Sequence, residues 1–125
     1  MQIDHVILAV NDVRESVEFY ARILGFAHEG EDGPFSVLRV DPGFTIQLAP
    51  WGTKGGEHLA FAMSRADFDL VFARIRAAGL DHGDSFHTVG KQAGIGRENG
   101  ARGAGATLYF FDPNKHLLEI RHYEA

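Results

Sequence analysis

The sequence predicts an α+β fold made of two β-α-β-β-β modules, and two internal repeats carry that prediction. Val40-Asp41-Pro42-Gly43-Phe44-Thr45-Ile46-Gln47-Leu48 is echoed by Phe111-Asp112-Pro113-Asn114-Lys115-His116-Leu117-Leu118-Glu119-Ile120. Both read as strand, Asp-Pro turn, strand, because Pro fixes φ and Asp bonds nearby backbone. Asp4-His5-Val6-Ile7-Leu8-Ala9-Val10 and Glu57-His58-Leu59-Ala60-Phe61-Ala62-Met63 both read as a strand that runs into a helix. The chain is therefore expected to be one domain over 1–125, with module one at about 1–50 and module two at about 57–125. Pro50-Trp51-Gly52-Thr53-Lys54-Gly55-Gly56 is the linker over 50–56.

The elements follow in order. The first helix opens at Asp12, with Glu15 placed for a capping box. Val13, Val17, Tyr20 and Leu24 recur at helical spacing, and Gly25 ends it. Strands are expected at Phe26–Glu29, Ser36–Val40 and Phe44–Ala49. The second helix opens at Ser64 with Asp67, carries Phe68, Val71, Phe72 and Ile75 on one face, and closes at Gly79. Strands at Asp81–Phe86, Thr107–Phe111 and Leu117–Arg121 complete module two. The intervening Thr88–Gly105 holds Gly90, Gly94, Gly96, Gly100, Gly103 and Gly105 with Lys91, Arg97 and Arg102, and reads as a long loop. Such loops often act as lids, here one whose basic residues meet an anionic substrate group. A flexible surface excursion is the alternative. Gly94-Ile95-Gly96 is not a dinucleotide fingerprint, since it lacks the third glycine and opens no helix.

Composition narrows the function. Of 125 residues, 45% are hydrophobic, enough for a packed core. Seventeen Asp and Glu outweigh 12 Lys and Arg for a net charge of −5, which argues against nucleic-acid or anionic-membrane partners. The absence of cysteine excludes disulfides, a thiolate nucleophile and a Cys-type zinc site. The N-terminal stretch lacks a basic start and carries Asp4 and His5, unlike a signal peptide, and no apolar run reaches a membrane span of roughly 18 residues. A cytoplasmic protein is the expectation.

Alternation assigns faces. Val6, Leu8 and Val10 oppose His5, Ile7 and Ala9; Leu59, Phe61 and Met63 oppose His58, Ala60 and Ala62. Phe44, Ile46 and Leu48 oppose Thr45, Gln47 and Ala49; Leu118 and Ile120 oppose Leu117, Glu119 and Arg121. The larger apolar sets suit the helices, so His5, His58, Glu119, Gln47 and Arg121 fall on helix-free faces, where Gln47 and Arg121 are expected to contact substrate. Two imidazoles and a carboxylate suit a divalent ion with open positions, such as Fe(II), Mn(II), Zn(II) or Ni(II). Taken singly, a strand His is more often a hydrogen-bonded structural residue, and a strand Glu is usually solvated.

The paired modules, His5, His58 and the terminal pattern of Asp112, Pro113, His116 and Glu119 resemble the vicinal oxygen chelate superfamily over the whole chain. This group includes glyoxalase I, fosfomycin-resistance enzymes, extradiol dioxygenases, epimerases and metal-free bleomycin-binding proteins. The resemblance implies a curled, U-shaped sheet around a cleft, with His5, His58 and Glu119 as metal ligands and a small oxygen-rich substrate chelated by the metal. It implies lyase, isomerase, transferase or ring-cleaving dioxygenase chemistry, with Glu119 able to move a proton as well as to ligate. It also implies a homodimer in which each cleft joins module one of one chain to module two of the other. The alternative is a metal-free protein that sequesters a drug or aromatic metabolite.

Particular positions refine the resemblance. Gln47 stands where bacterial glyoxalase I has a second carboxylate ligand, and it reads either as a weak ligand or as a polar, substrate-facing wall. Tyr109 holds the place of the phosphonate-binding tyrosine of the fosfomycin enzymes, and Thr107 the place of a small hydroxyl residue before it. The thiol-using members have a catalytic threonine two residues after the first histidine, where this chain has Ile7. Tyr109 reads equally as an aromatic of the cleft floor. Of the remaining histidines, His116 reads as structural, His28, His82 and His122 point away from the cleft or sit at strand ends, and His87 borders the glycine-rich segment. Phe35, Trp51 and Phe86 read as packing residues or as an apolar wall.

Overall fold

In the computed structural model, residues 1–124 are described, and the chain divides into two compact units at Lys54/Gly55. Unit one contains β1 (His5–Ala9), α1 (Val13–Phe19), β2 (Ala27–Asp32), β3 (Phe35–Asp41) and β4 (Phe44–Ala49). Its sheet runs β1-β4-β3-β2, with β1 and β4 parallel and the other pairs antiparallel. Asp12 caps α1, accepting from the Glu15 backbone N–H at 3.0 Å. The helix then widens into a π-helical segment, Tyr20–Leu24, and ends at Gly25, whose φ of 78° only glycine adopts readily. This widening corrects the expected inward stripe: Ser16, Tyr20 and Ile23 are buried, whereas Val13, Val17 and Leu24 are only half-buried. Leu8, Val10, Leu38, Ile46 and Leu48 complete the core of this unit.

Unit two contains β5 (His58–Ala62), α2 (Arg65–Ala77), β6 (His82–Gly83), β7 (Gly96–Gly100), β8 (Gly103–Phe111) and β9 (Leu117–His122). Its sheet runs β5-β9-β8-β6, and β7 also pairs with β8. The α+β class holds, with each sheet beginning in a parallel pair. Ser64 caps α2 by accepting from the Asp67 N–H at 3.1 Å. Phe68, Val71, Phe72 and Ile75 are the buried stripe, as the spacing predicts. They cover the face that carries Leu108, Phe110, Leu118 and Ile120, all fully buried. No helix among the described residues is long and apolar enough to cross a membrane.

Two expectations for this unit are corrected. The strand expected at Asp81–Phe86 shrinks to His82–Gly83, because Asp84, Ser85 and Thr88 form a turn bonded through the Thr88 hydroxyl. The loop expected over Thr88–Gly105 is largely a β-hairpin, with Gly96 opposite Thr107 and Gly100 opposite Gly103. Glycine is depleted in strands, which hid the hairpin in the sequence. Backbone crowding requires the first of those glycines, and side-chain packing explains the second. A Cβ at Gly96 would collide with the Asp84 carbonyl oxygen, and one at Gly100 would lie 2.5 Å from Arg121 Cζ.

Candidate functional site

The two units repeat one register. In unit one Ile7 lies beside Gln47; in unit two Ala60 lies beside Glu119. Gln47 and Glu119 therefore occupy equivalent places, on the faces that the helices leave free. The contents of those faces differ.

In unit two the helix-free face gathers a connected polar cluster. Tyr109 lies across from Glu119, and Thr107 across from Arg121. The Glu119 carboxylate is only 4% exposed and Arg121 only 5%. Arg121 Nη1 donates to Glu119 Oε2 at 2.7 Å. The other oxygen, Oε1, stands 3.2 Å from His58 Nε2. The His58 side chain is 46% exposed, so the buried carboxylate meets an imidazole with an open edge. The His58 and Tyr109 rings lie 5.8 Å apart, tilted by 44°.

Tyr109 holds its proton well above the usual tyrosine range. Burial is the main cause, followed by its hydrogen bond to Glu119 and the charge of that carboxylate, with Glu98 adding to both effects. Glu98 was not anticipated from sequence. It stands on β7 opposite Gly105, and its Oε1 is buried without a hydrogen-bond partner. The signal that could have revealed it is the alternation Gly96, Glu98, Gly100, which sets one carboxylate among glycines on one strand face.

The anticipated basic residues are distributed differently. Arg97 pairs with Ala106, on the opposite face from Glu119 and Tyr109. Arg102 sits in the hairpin turn, its guanidinium 4.3 Å from the centre of the Tyr123 ring and its N–H donating to the Tyr123 hydroxyl. Neither forms a lid over the cluster. Arg121 does join it, but its Nη1 is directed at Glu119 and its Nη2 at the Glu98 carbonyl oxygen.

In unit one, His5 and Gln47 share the helix-free face, while Ile7 and Val37 flank Gln47. His5 Nδ1 lies 2.8 Å from Asp4 Oδ2, so Nδ1 donates to that carboxylate and Nε2 takes no part in the bond. Phe35 and Trp51 pack edge to face, their centroids 5.9 Å apart.

Three of the other histidines, His82, His116 and His122, are buried. The His116 ring accepts from the Glu57 backbone N–H at 3.2 Å, and the His116 backbone N–H donates to Asp112 Oδ1 at 2.9 Å. His122 packs on Phe68 and His82 on Phe72. His87 is exposed beside Phe86. Among the described residues, no group of three or more His, Asp and Glu side chains gathers at metal-binding spacing.

A family model for the Glyoxalase/Bleomycin resistance protein/Dioxygenase superfamily matches residues 2–120. The chain belongs to this superfamily. Its relatives within and around it carry different activities in their names. Glutathione transferase FosA of Serratia marcescens is 26% identical over 125 residues, covering 94% of this chain and 78% of that protein. The solved structure of Oxidase ChaP-H2 is 33% identical with a TM-score of 0.84, covering 99% of this chain and 94% of that one. The fosfomycin resistance protein FosX of Listeria monocytogenes, solved with Mn(II) and 1S,2S-dihydroxypropylphosphonic acid, shares the fold at 20% identity and a TM-score of 0.70, covering 96% of this chain and 88% of that one. Superfamily membership thus agrees with the fold and with the equivalence of Gln47 and Glu119, and leaves the reaction to the residues themselves.

Proposed function

We propose that the protein is a metal-dependent enzyme acting on a small, oxygen-rich substrate, with His5, His58 and Glu119 as the metal ligands. The observation that carries this is the 3.2 Å between His58 Nε2 and Glu119 Oε1. Donors about 2.0–2.2 Å from one ion stand about 2.8–3.1 Å apart when cis in octahedral geometry and about 3.3–3.6 Å apart in tetrahedral geometry, and the separation here lies between the two. The donor set also fits a borderline divalent ion: two neutral imidazoles and one carboxylate leave net positive charge on it. His5 meets the same requirement, since Asp4 holds its Nδ1 and frees Nε2.

When bound, the ion supplies Lewis acidity and open positions for two neighbouring substrate oxygens. The chain's own residues do the rest. Tyr109, kept as the neutral phenol, presents an O–H at the Glu119 edge and can donate to a substrate oxygen or return the bond to the carboxylate. Glu119 combines ligation with the capacity to accept a proton. Gln47 offers a polar wall from module one. In a homodimer, His5 comes from module one of a second copy.

Within the superfamily we favour the oxidase branch over thiol transfer. Ile7 supplies no hydroxyl where the thiol-using members have threonine, and ChaP-H2 is 33% identical where FosA is 26%. Metal analysis of protein purified without added metal is the test. Stoichiometric metal, lost in His5→Ala and Glu119→Ala, is expected; a metal-free protein that binds an aromatic ligand tightly would instead indicate sequestration. Oxygen uptake on a panel of polyphenols, set against glutathione addition to fosfomycin, separates the two enzymatic branches.

A further inference from the structure

Arg121 is buried, yet its contacts all run to the protein itself. Nη1 donates to Glu119 Oε2 at 2.7 Å, Nη2 donates to the Glu98 carbonyl at 2.9 Å and to the Gly103 carbonyl at 3.4 Å, and the guanidinium lies 4.8 Å from the Tyr123 ring centre. The hairpin is cut to fit it. A Cβ at Gly100 would stand 2.5 Å from Arg121 Cζ, and one at Gly105 would stand 2.6 Å from the His122 carbonyl oxygen and 3.2 Å from Arg121 Nη2. Two glycines on facing strands thus leave a slot that the guanidinium fills. A buried ion pair is weak evidence for stability, because the desolvation of both charges offsets their attraction. Its constant effect is geometric: a planar fork fixes the plane of the carboxylate that it meets.

We propose that Arg121 is a positioning residue that holds Glu119 Oε2 out of the metal site, so that Glu119 ligates through Oε1 alone. The inference rests on the metal reading above. Carboxylates bind metals through one oxygen or both. Occupying Oε2 with Arg121 leaves one more coordination position for a chelating substrate. It also reassigns Arg121, whose sequence position suggested substrate contact. The hairpin acquires a purpose as well: β7 and β8 form the bed of the guanidinium rather than a lid.

The test uses Mn(II) alone, titrated into metal-stripped full-length protein and followed by electron paramagnetic resonance. Arg121→Met deletes the fork. Gly100→Ala keeps the charge but displaces the guanidinium and, with it, the Tyr123 hydroxyl, each 2.5 Å from the added Cβ; Gly100 has no positive φ, so its backbone conformation accepts alanine. Both variants should bind Mn(II) about 10–100-fold more weakly, as is usual when a ligand's orienting partner is lost, and with an altered spectrum of the bound ion. Thermal melting establishes that each variant is folded. Wild-type affinity and spectrum in a folded variant of either kind would overturn the proposal and leave the metal reading standing. Tighter binding by Arg121→Met with an unchanged spectrum would overturn it too, since that result marks Arg121 as a repelling charge only. A wild-type protein that takes up no Mn(II) would remove the metal reading itself.

Discussion

The two units share a plan and a register but differ in what they expose on the helix-free face. Around Gln47 in unit one stand Ile7, Val37, Thr45 and Ala49. Around Glu119 in unit two stand Ala60, Tyr109 and Arg121, with His58 and Glu98 completing a charged cluster. The strand bearing Gln47 retains half-buried positions, whereas in β9 every residue after Leu117 is buried. A duplicated scaffold has therefore become specialised. One unit carries the imidazole of His5 and the amide of Gln47, and the other a buried carboxylate bonded to Arg121.

Substitution at the two equivalent positions should show the greatest asymmetry. Glu119→Ala leaves Arg121 buried without its carboxylate, which costs about 3–5 kcal/mol. Gln47→Ala should cost within about 1 kcal/mol, since its surroundings are apolar and half-buried. Urea denaturation of the two variants measures this directly. Equal losses would mean that the cluster contributes no more than an ordinary strand position.

Tyr109 gives a second, smaller contrast. Tyr109→Phe should cost about 1–3 kcal/mol, because Glu119 and Glu98 lose a buried donor. The pH dependence has a definite sign. The folded-state pKa is raised, so the folded protein holds this proton more tightly than the unfolded chain does. The stability from this group is present below the ordinary tyrosine pKa of about 10 and is lost as pH rises from there through the higher folded value. Phenolate absorbance in the wild type should include a component that lags free tyrosine, and Tyr109→Phe should reduce that component.

The helix caps provide the smallest contrast. Asp12→Ala and Ser64→Ala each remove a cap accepting a backbone N–H and should each cost about 1 kcal/mol. Thermal melts that give closely similar losses would place the difference between the units in their sheets rather than in their helices.

Much of this was legible in the sequence because the fold obeys short-period rules. The strand at Phe44–Ala49 has the predicted bounds, both caps act at the predicted residues, and alternation put Glu119 and Arg121 on the face opposite Leu118 and Ile120. What escaped depends on contacts distant in sequence. The β7–β8 hairpin is built from glycines that a local reading takes for a loop, and their reason lies in Arg121 and Asp84. The π-helical widening at Tyr20 moves the buried stripe without any breaker residue to announce it. Glu98 and the role of Arg121 needed the register of three strands, because neither stands in a motif. The basic residues of the glycine-rich segment misled for the same reason: net charge near a cleft says nothing about which face of a hairpin carries it.

The most direct measurement is anomalous diffraction at the manganese edge from crystals of the wild-type protein grown with Mn(II). The account predicts one strong peak per chain, within ligand distance of His58 Nε2 and Glu119 Oε1, with His5 as the third protein ligand and Arg121 still on Oε2. A peak elsewhere, or none while His58 remains bonded to Glu119, would contradict it.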